Sequence, residues 1–137
     1  MNQITKPVIA GVIGTAIMSL FMLLSTTMGV PKMSPPAMLS GMLGVPTAVG
    51  WIMHFAIGAT FAVGYALFVA RLFKKISNVY LKGALFGLLA FVFAQVAMGV
   101  LGAIFPMPAV EGSMAMMMVG SVLGHVVFGV SVVRILG

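Results

Sequence analysis

Two histidines, His54 and His125, and one amide, Gln95, lie inside the long uncharged stretches of this chain. A strongly polar side chain in such a stretch is expensive to hold away from water, so these three are the first candidates for chemistry. Their neighbours sharpen the case. Residues four apart share one face of a helix, which places Gly50, His54, Gly58 and Ala62 on one stripe and Ser121, His125 and Gly129 on another, with Gly124 beside His125. Each imidazole therefore sits among very small residues, which let a flat group or a second backbone come close.

Imidazole is a common axial ligand of haem iron, and helix bundles hold cofactors with side chains projecting inward from facing helices. The pattern predicts a haem b held through Nε2 of His54 and of His125. Each Nδ1 would be fixed by a backbone carbonyl or by Ser121. Gly50, Gly58, Gly124 and Gly129 would make room for the ring, and Gln95 would act as a nearby donor.

The competing reading needs no ligand. Small residues four apart are how membrane helices pack, and a histidine in such a seam can simply hydrogen-bond across it. Depth weighs mildly on that side: His54 follows Pro46 by 8 residues and His125 follows Ser113 by 12, an offset of about 6 Å at about 1.5 Å per residue. Gln95 likewise reads as an interhelical hydrogen bond.

A third reading comes from the 14 methionines. Met28, Met33, Met38, Met42, Met53, Met107, Met114, Met116, Met117 and Met118 fall toward one end of the chain's spans, and thioethers select Cu(I). Met114, Met117 and Met118 are the candidate copper ligands. Methionine is also a flexible filler of apolar packing, and no regular M-x-x-M ladder is present.

Other chemistries are excluded. The only acid is Glu111, and it lies between stretches, so there is no carboxylate relay of the kind a proton-coupled exporter needs and no acid-base pair. There is no cysteine, no phosphate-cradling loop, and no base near the serines and threonines at 19 and 25–27. The net charge of +6 has no basic cluster with interleaved aromatics, which argues against nucleic acid.

The positioning elements follow from composition. With 62% hydrophobic and 6% charged residues, the chain lacks the quarter-charged surface of a soluble domain. One crossing takes about 20 apolar residues, and the neutral stretches supply four. We expect an all-α, integral membrane four-helix bundle, up-down-up-down, as one domain. Its spans run from about 7–29, 47–73, 81–105 and 113–136, with an interfacial helix inside the outer connection 31–46. Lys6, Arg71, Lys74, Lys75, Lys82 and Arg134 fall at one end of these spans, which the positive-inside rule makes cytoplasmic, as are both termini. Trp51 and Tyr80 sit where interfacial aromatics belong. The first stretch is too long for a signal-peptide core and lacks a small-residue cleavage site, so it is expected to stay as an anchor.

The two hairpins share an orientation, so a duplication would relate them by an axis along the membrane normal. Ala10-Gly11 with Gly14 is similar to Gly83-Ala84 with Gly87, Pro31 matches Pro106, and His54 with Gly58 matches His125 with Gly129.

Several segments together resemble a known family. They are Ala10-Gly11 with Gly14-Thr15-Ala16, Gly29-Val30-Pro31-Lys32-Met33, Gly83-Ala84-Leu85-Phe86-Gly87, Ala94-Gln95, Gly124-His125 with Gly129, and above all the Gly-Trp-x-x-His-Phe segment at 50–55. Across nearly its whole length the chain resembles a bacterial family of small four-helix inner-membrane proteins whose function is unknown. The resemblance implies a bacterial inner-membrane location and a four-helix fold, and it carries no reaction.

Three functions thus stand as expectations. They are a membrane protein with haem b between the second and fourth spans, an interaction subunit or homo-oligomer with packing histidines and no cofactor, and a methionine-rich Cu(I) or ligand handler or small transporter. In each the lipid bilayer is the surrounding partner.

Overall fold

The computed structural model describes residues 2–32 and 34–137; Met33, one of the outward methionines, lies outside them. Among the described residues there are five helices and no strand: α1 Thr5–Thr26, α2 Pro35–Leu43, α3 Thr47–Leu72, α4 Val79–Ile104 and α5 Met114–Leu136. All but α2 are long and apolar enough to cross a membrane, and the chain is a multi-pass membrane protein.

Local chemistry sets the helix ends. Ser34 starts α2, its hydroxyl accepting from Ala37 N–H ahead of Pro35 and Pro36 in the first turn. Gly44 stops it with φ +66°, a left-handed conformation that glycine takes without a side-chain clash. Asn78 opens α4 by accepting from the N–H groups of Tyr80 and Leu81, and Ser113 opens α5 in the same way through Met116 N–H. Within α3, Tyr65–Val69 form one π-helical turn before the α-helix resumes at Ala70. This wider turn comes where Tyr65 is buried against Phe86 of α4, ring centroids 4.7 Å apart.

Apolar surface drives no association in lipid, so the helices meet where small residues let backbones approach. In the first hairpin a β-carbon on Gly11 would stand 2.5 Å from Ala59 Cα and 2.6 Å from Gly58 O. In the second, a β-carbon on Gly83 would stand 2.5 Å from Val130 Cα and 3.1 Å from Gly129 O. The same contacts recur one step on, since Gly58 presses on Thr15 and Gly129 presses on Gly87. The two hairpins are therefore built alike, but with Gly11 equivalent to Gly83 and Thr15 to Gly87. This corrects the alignment of Ala10-Gly11 with Gly83-Ala84, which is out of register by one residue. Sequence similarity paired the glycines at 14 and 87, whereas the backbone contacts pair 11 with 83.

The corrected register also explains where the likeness stops. Gly14 lets α5 close on α1, its missing side chain replaced by Val132 and Phe128. The equivalent position on α4 is Phe86, a large ring wedged against Tyr65 and Phe128. So α1 packs on both α3 and α5, and α5 packs on α4, whereas α3 and α4 make little close backbone approach and meet through side chains, Tyr65 on Phe86 and Phe61 near Phe93. A cavity of about 210 Å³ lies between them, lined by Phe61, Val69, Phe86, Leu89, Ala90 and Phe93. The bundle is a ring with three closed seams and one open one.

The core is concentrated around Ala10, Met18, Met22, Ala62, Tyr65, Phe86, Ala90, Phe128, Val132 and Val133. α2 docks on the start of α3 through Gly50, which lies on the Pro36 carbonyl.

Candidate functional site

Each histidine is held by its own hairpin. His54 is buried on α3, with Nε2 3.3 Å from Ser19 Oγ on α1. The Ser19 hydroxyl already donates to Thr15 O at 2.7 Å, so its oxygen is left to accept and His54 Nε2–H is the donor. Trp51 and Phe55, one turn or less away on the same helix, both stand edge-on to the ring at centroid distances of 6.1 and 6.2 Å.

His125 is arranged differently. Its Nδ1–H donates to the Ser121 carbonyl at 2.7 Å on its own helix, and its ring meets Phe91 of α4 edge-on at 5.6 Å. Phe91 is the counterpart of Ser19 in the corrected register, so the same structural position supplies a hydrogen-bond acceptor to one histidine and an aromatic edge to the other. This leaves Nε2 of His125 without a hydrogen bond, while Nε2 of His54 is engaged. Of the two expected ligands, His125 has the predicted Nδ1 anchor on a backbone carbonyl, and His54 has the opposite tautomer.

The small residues around the histidines are in use. Gly50 lies on Pro36, Gly58 on Thr15 and Gly129 on the backbone of Gly83 and Gly87. A β-carbon on Gly124 would come within 3.3 Å of Met22 Cγ, and Ser121 is buried. The two cavities nearest to developed pockets lie elsewhere. One is the gap between α3 and α4; the other, about 330 Å³, lies at the end of the bundle that carries Lys6 and is lined in part by Gln3, Tyr65 and Ala70. A porphyrin would need side chains and backbone at these glycines to move apart.

Gln95 makes no hydrogen bond to either histidine among the described residues. It is exposed on α4, two residues from Phe93, which packs toward Phe61 of α3 at 6.5 Å. The methionines disperse as well: Met117 is buried, whereas Met114 is 66% and Met118 40% exposed. Among the described residues no three His, Cys, Asp or Glu side chains come together. Ser19 is the contact of His54 that sequence reading missed. It was visible as a serine mid-span with no base in its own helix, and only the packing of α1 on α3 reveals the partner.

The chain matches, over residues 1–136, the model of a family of unknown function, DUF6789, and it belongs to that family. No curated protein and no solved structure matches it.

Proposed function

We propose that this chain is a membrane unit that works by associating with other membrane-embedded helices, its histidines fastening the fold. The observation that carries this reading is the fate of the small residues. Every glycine flanking a histidine faces a neighbouring helix, the outer connection or buried methionines, and His54 spends its Nε2 proton on Ser19. In a seam of that kind an imidazole acts as a polar fastener.

The proposed setting is a bacterial inner membrane with both ends of the chain on the cytoplasmic side. Lys6 lies in the first turn of α1, Arg71 and Arg134 in the last turns of α3 and α5, and Lys82 in the first turn of α4, so these charges gather at one end of an up-down bundle. That clustering supports the orientation through the positive-inside rule.

One observation favours a second reading, in which the histidines hold haem b. The unbonded Nε2 of His125, with Nδ1 tied back to a carbonyl, is the arrangement of a ready axial ligand. Ligation by His54 would require Ser19 to release its Nε2. A bound haem would supply one-electron redox chemistry.

An absorption spectrum of the purified protein, oxidised and then reduced with dithionite, from cells supplied with a haem precursor, separates the two. The interaction reading expects no Soret band, with His54→Ala lowering thermal stability without spectral change. A stoichiometric Soret band lost in both His54→Ala and His125→Ala would overturn it in favour of the cytochrome.

A further inference from the structure

The outer half of α4 leaves much of its circumference uncovered by the chain. Its buried residues, Gly83, Phe86, Gly87 and Ala90, all lie in the first half of the helix, and beyond them Val92, Phe93, Val96, Val100 and Ile104 are each more than half exposed. The equivalent stretch of α1 is covered, because Met18 and Met22 pack over Gly124 of α5. The open seam between α3 and α4 leaves α4 without that cover.

Gln95 lies in this stretch. It precedes the outer end of α4 at Ile104 by 9 residues, which is about 14 Å at about 1.5 Å per residue. That depth is inside a hydrocarbon layer about 30 Å thick. There the amide has neither water nor an acceptor or donor from its own chain, a state that hydrocarbon penalises. Its orientation excludes α3 as the partner, since Phe93, two residues and thus about 200° away round the helix, is the residue turned to α3.

The amide and the spacing on Gln95's face suit a second copy of the chain. Leu81, Leu85, Leu88, Val92, Gln95, Gly99 and Gly102 follow one another at alternating steps of four and three, the heptad seam of a left-handed helix pair sustained over three turns of the repeat. Along it Leu81 is 52%, Leu88 40% and Val92 56% exposed, and a β-carbon on Gly99 would meet nothing within 4 Å. Copies of one chain enter a membrane with the same orientation, so α4 meets α4 in parallel. A single amide in such a seam then lies opposite itself. An amide carries both donor and acceptor, and two of them across a twofold axis satisfy each other.

We propose that this face of α4 is the contact between two copies of the chain, with Gln95 hydrogen-bonded to its counterpart. The inference rests on the interaction reading above and names its partner.

The absence of cysteine makes the test direct. Val92→Cys, on the seam, and Val100→Cys, off it, are each oxidised in membranes at native expression. The proposal expects a disulfide dimer from Val92→Cys and little from Val100→Cys. In vesicles, energy transfer between labelled copies should show Gln95→Leu dimerising roughly tenfold more weakly, the loss of one intramembrane hydrogen-bonded pair, with Gln95→Asn retaining most of the affinity. Equal cross-linking at both positions, none at either, or unchanged dimerisation of Gln95→Leu overturns the proposal. If Val92→Cys cross-links only to a different protein, the second copy is wrong while the interaction reading stands. A monomer that cross-links to nothing and carries a stoichiometric Soret band removes both.

Discussion

Gly129→Ala is the most direct probe of the packing argument, because a matched control exists in the same molecule. A methyl group at Gly129 would stand 2.6 Å from Gly87 Cα, with the Gly87 nitrogen and Gly83 carbonyl closer still. Ordinary carbon contacts lie at about 3.5–4.0 Å, so α4 and α5 would have to separate by about 1 Å, and backbone cannot turn aside as a side chain can. Forcing an extra carbon into a packed contact costs about 1–3 kcal/mol. The substitution also gains about 1 kcal/mol of helix propensity, which would blur a single measurement. Gly64→Ala makes the same chemical change on α3 where nothing lies within 4 Å, so the propensity gain is common to both and their difference isolates the contact. Thermal unfolding in one detergent should place Gly129→Ala about 1–3 kcal/mol below Gly64→Ala. Equal stability of the two variants would refute the claim that these helices meet backbone to backbone at residue 129.

Three further outcomes are expected. Ser19→Ala removes the acceptor of His54 and should lower thermal stability by about 0.6 kcal/mol, the average for an intramembrane hydrogen bond, with about 1.7 as the upper range; a variant as stable as the wild type would mean that Ser19 and His54 are not bonded. Gly50→Val should lift α2 off the start of α3, read as new protease cleavage near residues 34–44 with the four spans intact, and unchanged resistance would place α2 elsewhere. Lys75→Cys should react with a membrane-impermeant thiol reagent only in inverted vesicles and Glu111→Cys only in intact spheroplasts, and the reverse pattern would invert the proposed topology.

The spans were legible because in lipid every backbone polar group must be satisfied within the segment, and an uncharged run of about 20 residues leaves few alternatives. The short helix inside the connection 31–46 was readable for equally local reasons. What the sequence concealed was register and pairing. Seventeen glycines give many equally good alignments, and only the contacts of Gly58 and Gly129 choose between them. The stripes around His54 and His125 read equally as a cofactor slot or a helix seam, since both need the same small residues. The π-helical turn at Tyr65 leaves no mark in the pattern, and the ring packed against it belongs to another helix.

The substitution of a phenylalanine on α4 for a glycine on α1 has a mechanical consequence. Two seams, α1 on α3 and α4 on α5, are set by backbone contact and a third, α1 on α5, by packed side chains, so the strain of any lateral squeeze must gather in the fourth. The apolar groove of about 210 Å³ between α3 and α4 is the place where the fewest backbone contacts hold the width of a seam. The molecule is in that sense two hairpins joined along α1 and α5, with an open apolar groove on the opposite side.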